Sequence, residues 1–106
     1  MVHRAYYDGY IRSPAWREKR EAFARHAAAG NPDGIIRCLG CQRRWRIGRD
    51  DVHHVSYAHL GDERFEDLWP LCRDCHERVH QLLELRSYRR LDRRLANQMV
   101  LSAISR

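Results

Sequence analysis

Two C-x2-C pairs, Cys38–Cys41 and Cys72–Cys75, stand thirty residues apart and account for every cysteine in the chain. Four thiolates in two such knuckles complete the tetrahedral shell of one structural zinc ion, and a closed site of this kind contributes folding energy to a small domain. A second set of ligands is interleaved with the first: His53 and His54 lie between the pairs, and His76 and His80 follow the second one in "PLCRDCHERVH" (70–80). On a helix Cys75 and His76 point about 100° apart, so they do not comfortably serve one small ion. His80 stands one turn beyond His76 on the same face, and an i, i+4 pair can hold a divalent ion. An ordinary capped or solvent-facing imidazole is the alternative for His80.

In a strand the adjacent His53 and His54 point to opposite sides. One can ligate a metal and the other can address a water or a substrate, provided the strand bends locally. Asp67, in the segment leading into the second knuckle, could reach the same pocket as a ligand or an orienting carboxylate. Two or three imidazoles, one carboxylate and one imidazole in reserve suit metal-assisted hydrolysis, with the unmetallated His as general base. Two other spellings fit less well. Attachment of c-type haem through C-x-x-C-H orphans Cys38 and Cys41 and leaves the His53–His54 pair without a role, so no haem is expected. A Cys2His2 finger from Cys38, Cys41, His76 and His80 strands Cys72 and Cys75.

These residues need elements to hold them. Ser13-Pro14 is a helix start, with an N-cap hydroxyl and Pro at the first helical position, and "GNPDG" (30–34) stops that helix. Trp16, Phe23, Ala24 and Ala27 fall near its inner face, with Arg17, Lys19, Arg20 and Glu21 opposite. "IIRCLGCQRRWRI" reads as a short strand-like piece interrupted by the first knuckle, where Gly40 permits the tight turn. "DVHHVSYAHL" (51–60) reads as a strand, "GDERFED" (61–67) as a turn, and "LWPLC" (68–72) as a second extended segment. From Asp74 the pattern turns helical on Val79, Leu82, Leu83 and Leu85. A last helix over roughly 88–104 is expected to pack through Leu91, Leu95, Met99 and Ser102, with Arg89, Arg90, Arg93 and Arg94 on its other sides. The sum is one α+β domain over 1–106: an N-terminal helical segment (6–30), a zinc-bound core (35–85) and a basic C-terminal helix (86–106).

Of the 20 basic residues only Lys19 is a lysine, and the net charge is +6. Arginine presents a rigid fork of donors that matches phosphate oxygens, so a polyanionic partner fits, as does a merely soluble Arg-rich surface. No run approaches the roughly 18 apolar residues of a membrane span, so no membrane partner is expected. The opening "MVHRAYYDGYIRSPAW" lacks the apolar stretch of a secretory signal, which points to an intracellular protein with reduced thiols.

The order H-H, an acidic residue before L-x-x-L-C, then C-x-x-C-H-x-x-x-H, in "DVHHVSY…GDERFEDLWPLCRDCHERVH", resembles the HNH endonuclease family. The lead-in "YIRSPAWREKR" followed by C-x-x-C is similar to the front of small phage and bacterial members, and the likeness spans roughly residues 7 to 80. The resemblance implies a ββα-metal core and metal-dependent hydrolysis of phosphodiester bonds in DNA, leaving 5′-phosphate and 3′-hydroxyl ends. It implies His53 as first metal ligand, His54 as general base, His76 as second ligand and His80 as a third. Asp67 occupies the family's Asn position; an ionised Asp accepts hydrogen bonds but cannot donate one, though it can ligate a metal. Mg²⁺, Mn²⁺, Ni²⁺ or Zn²⁺ would suit such a set. Arg43, Arg44, Arg46, Arg49 and Arg64 flank the site in sequence and are candidate phosphate contacts, each with a generic surface charge as the alternative. A cytoplasmic setting, bacterial or in a phage-infected cell, goes with that likeness. The competing expectation is a zinc-stabilised nucleic-acid-binding module with a vestigial active site.

Overall fold

The computed structural model describes residues 4–105. Among them the chain forms α1 (Arg4–Ile11), α2 (Pro14–Ala29), β1 (Asp51–His54), β2 (Leu68–Leu71), α3 (Arg73–Leu83), α4 (Arg86–Arg89) and α5 (Arg93–Ile104), with a one-turn 3-10 helix, Phe65–Asp67, before β2. The architecture is a small α+β fold of five helices around one two-stranded antiparallel sheet.

The expected helical segment over 6–30 is two helices, and the break has a local cause. Pro14 has no N–H and forces the preceding residue out of the helical region. Ser13 is accordingly extended (φ −85°, ψ 156°), and its hydroxyl oxygen accepts the Trp16 N–H at 3.2 Å to start α2. The strand-like piece expected around the first knuckle does not form a strand: only isolated pairings of Arg37 with Arg44 and of Ile47 with Asp50 are present there. Likewise the strand expected over 51–60 ends at His54, where the chain turns away into a loop that the Val55 N–H ties to the Asp67 carbonyl at 2.8 Å. The basic C-terminal segment is α4 and α5 rather than one helix, because the Asp92 carboxylate accepts the N–H groups of Arg94 (3.1 Å) and Leu95 (3.3 Å) and caps a new start. Arg106, the end of that expected segment, lies outside the described residues.

The strands pair as Asp51 with Leu71, Val52 with Pro70, His53 with Trp69 and His54 with Leu68. Side chains alternate across such a pair, so the hairpin divides the core in two. On one side Leu68, Val52 and Phe65 pack on Trp16 and Phe23 of α2, and on Tyr10 and Ile11 of α1. On the other, Leu71 and Trp69 join Cys38, Cys72, Cys75, Val79, Val100 and Ile104. The buried stripe of α5 is therefore Ala96, Val100 and Ile104, at successive four-residue steps, and not the expected Leu95–Met99 face, whose two residues are each 46% exposed. The smaller side chains let α5 settle closely on α3. No helix among the described residues is long and apolar enough to cross a membrane.

Candidate metal centres and the cleft between them

The turn 38–41 is brought against the N-terminus of α3 by backbone pairing: the Leu39 N–H donates to the Pro70 carbonyl at 3.0 Å. All four cysteine Sγ atoms then lie within 4.8 Å of one another, with Cys41 and Cys72 at 3.8 Å. Four sulfurs around one ion at a 2.3 Å bond length stand about 3.8 Å apart, so the cluster has the dimensions of a tetrahedral thiolate site. Backbone N–H groups already serve the sulfurs. Cys72 and Gly40 donate to Cys38 Sγ at 3.2 and 3.3 Å, and Cys75 donates to Cys72 Sγ at 3.4 Å. Burial pushes the Cys75 and Cys41 thiols up, with further help from neighbouring sulfurs. Burial pushes on Cys38 too, but the N–H groups of Cys72, Cys41 and Gly40 outweigh it and hold that thiol below its ordinary value. Four crowded thiols ionise together only around a cation. The donor set and its spacing fit a metal.

Gly40 serves this turn by its size, not by the backbone freedom expected of it. A Cβ at position 40 would lie 2.7 Å from Cys75 Sγ, whereas the left-handed residue of the turn is Gln42 (φ 66°).

The second group forms on another flank of α3, about 100° round the helix from Cys75. His53, His76 and His80 each present one ring nitrogen to a common point, again within 4.8 Å of one another. The Nε2 atoms of His76 and His80 are 3.0 Å apart, within the roughly 3.0–3.4 Å expected for two nitrogens on one ion at about 2.1 Å. His76 Nδ1 lies 2.9 Å from Asp51 Oδ2, and a carboxylate can only accept, so the proton sits on Nδ1 and Nε2 keeps its lone pair. Burial pushes His53 down to about 3, and burial, with help from the neighbouring His76 and Arg93, pushes His80 down to about 4 although one edge is open to solvent. Both rings are neutral at physiological pH, the form that binds metals.

His54 takes the other face of β1. Its ring stacks on Trp16 with centroids 4.7 Å apart, and Tyr7 and Tyr57 flank it. His54 Nε2 is 2.7 Å from Glu63 Oε2, and Glu63 also accepts the Tyr10 hydroxyl at 2.6 Å. Burial pushes the Glu63 carboxyl up, but those partners hold it below the usual carboxylate range. An ionised Glu63 fixes the His54 proton on Nε2 and leaves Nδ1 as the basic atom. A cleft of about 270 Å³ opens between the two sets, lined by Tyr7, Trp16, Arg20, Asp51, His54 and His76 among others.

Asp67 does not join the histidines. Its carboxylate is fully buried and engaged by the Arg64 N–H (3.0 Å), His59 Nδ1 (2.9 Å) and Arg94 (2.7 Å). These contacts outweigh the effect of burial and hold its carboxyl below the ordinary value. With its backbone carbonyl also bound to Val55, Asp67 braces the loop after His54 and ties it to α5. Arg43, Arg44, Arg46, Arg49 and Arg64 are all exposed, but Arg49 is turned onto Asp50 Oδ2 at 2.7 Å. Sequence reasoning missed Glu63, Asn97 and Arg20. The sequence around Glu63 and Asn97 carries no signal for them, since their partners lie nine and 44 residues away. By periodicity Arg20 falls on the outer face of α2, yet it is half-buried and lines the cleft.

Comparisons of the chain with protein-family models, with curated protein sequences and with solved structures return no significant match.

Two outcomes follow from this geometry. Gly40→Ala should loosen the thiol cluster, so that native mass spectrometry finds a smaller fraction of chains holding an ion after mild chelation; equal retention would mean the turn has slack. Asp67→Asn should cost about 1–3 kcal/mol at neutral pH in urea unfolding, because the charge that Arg94 and His59 meet is lost. A carboxyl depressed in the folded state contributes fully above its unfolded value of about 4, and that contribution is lost as pH falls on through the lower folded value. The variant should therefore show a shallower acid limb than the parent.

Proposed function

We propose that the chain is a metal-dependent endonuclease of HNH type that hydrolyses phosphodiester bonds in DNA. The observation that carries this reading is the split at β1. Neighbouring residues of one strand send His53 into a three-nitrogen group with His76 and His80, and His54 into a cleft shared with Arg20. A zinc ion on the four cysteines fits the closed thiol cluster and serves the fold. A divalent ion, Mg²⁺, Mn²⁺, Ni²⁺ or Zn²⁺, would be held by His53, His76 and His80 and would supply positive charge against the scissile phosphate and the leaving oxygen.

The chain's own residues do the rest. His54 Nδ1 takes a proton from the water whose oxygen forms the new bond to phosphorus, as the P–O3′ bond breaks. Glu63 holds the ring by Nε2 and stabilises the imidazolium that results. Trp16, stacked on the ring, keeps it from swinging out of the cleft. Arg20 offers a guanidinium whose buried Nε has no hydrogen-bond partner among the described residues, a donor suited to a phosphate oxygen. Asp67 stands at the family's Asn position as a loop brace rather than a ligand. The exposed arginines of the 43–49 stretch extend the cationic surface along which a duplex backbone would lie.

Plasmid nicking tests this reading. The wild type should nick supercoiled DNA with at least one of the four divalent ions, and His54→Ala should lower the rate by about 100-fold or more. DNA binding by gel shift should be unchanged in that variant. If both proteins bind DNA equally and neither nicks it with any of the ions, the chain is a zinc-stabilised nucleic-acid-binding module and the enzyme reading fails.

A further inference from the structure

We infer that Asn97, on α5, is a positioning residue that determines which nitrogen of His53 is offered to the divalent ion; this rests on the three-histidine centre proposed above. Asn97 lies beyond the stretch that resembles the nuclease family. It is fully buried, and its side-chain amide has one orientation open to it. The NH2 group donates to the Arg93 carbonyl at 2.9 Å and to the Val55 carbonyl at 3.3 Å. Both donors point at groups that can only accept, so the amide cannot be flipped without leaving two carbonyls facing an oxygen.

That leaves Oδ1 facing His53 Nε2 at 2.5 Å. An amide oxygen accepts and never donates, so Nε2 carries the ring proton and Nδ1 holds the lone pair. Nδ1 is buried and has no hydrogen-bond partner among the described residues. A bare, buried ring nitrogen costs free energy in any protein, and it persists where a ligand is meant to take it. Here the ring belongs to the group formed with His76 and His80. His53 and His76 are thus set by the same logic from different directions: Asp51 accepts from the far N–H of the His76 ring and Asn97 from the far N–H of the His53 ring, each holding the proton there.

The same helix end is tied to the hairpin at two further points. Arg93 donates to the His54 carbonyl at 2.9 Å, and Arg94 reaches Asp67. A register shift of α5 would move the acceptor off His53. The C-terminal helix is in this sense part of the metal centre.

The test begins on the unaltered full-length chain holding its four-thiol ion. Long-range ¹H–¹⁵N correlation of the imidazoles, recorded without a second ion, should show His53 as the Nε2–H tautomer; an Nδ1–H ring overturns the inference without any variant having to fold. Nickel titration by calorimetry then compares Asn97→Leu, which keeps the volume but removes the acceptor, with Asn97→Asp, which keeps an acceptor for Nε2–H. Asn97→Leu should retain the thiol-bound ion, bind nickel about 10- to 100-fold more weakly and show a mixed His53 tautomer. Asn97→Asp should bind nickel more tightly than Asn97→Leu but more weakly than the wild type, because its second oxygen faces the Arg93 and Val55 carbonyls. Wild-type nickel affinity together with an unchanged tautomer in Asn97→Leu would overturn the inference. A wild type that takes up no nickel while His53 shows the Nε2–H form would instead sink the three-histidine centre and leave the Asn97 contact standing.

Discussion

The arrangement depends on one constraint: α3 is anchored at its first turn by sulfur. Cys72 caps the helix with its own Sγ, Cys75 points into the core, and Cys38 reaches both from the 38–41 turn. Once Cys75 is fixed inward, the pitch of the helix leaves no freedom to His76 and His80. They must emerge about 100° away, on the flank where β1 passes. Two chemically distinct groups can therefore share eleven residues of helix without competing for ligands.

The hairpin supplies the complementary geometry through the two-residue period of a strand. His53 faces α3 and α5, and His54 faces α1 and α2. Each imidazole is buried, and each is met by a polar partner of fixed type, an amide oxygen for one and a carboxylate for the other. Burying such groups would be costly if they were left unpaired. The loop of residues 55–67 repeats the pattern: Glu63 and Asp67 are buried carboxylates that hold the turn between the strands by accepting from Tyr10, His59 and Arg94. Much of the polar interior is thus devoted to aiming rings, at the expense of a larger apolar core.

The sequence made legible what local rules govern. The cysteine spacing, the i, i+4 histidines, the extended 68–71 segment and the Ser13-Pro14 helix start all depend on neighbours within a turn or two. Long-range choices were not legible. Leu95 and Met99 look like the inner face of α5 by periodicity, yet the close approach to α3 selects Ala96, Val100 and Ile104 instead. Asp67 has the right type and place for a ligand, but Arg94, 27 residues on, claims its carboxylate. Glu63 and Asn97 could be recognised only once the fold had set them against His54 and His53.

The central claim, two separate ions on one helix, is tested most directly by X-ray absorption on protein loaded with zinc and then nickel. The account predicts a zinc edge with four sulfur neighbours at about 2.3 Å and a nickel edge with imidazole nitrogen and oxygen neighbours at about 2.1 Å and no sulfur. A single ion bound by two sulfurs and two nitrogens, or sulfur in the nickel shell, would contradict it.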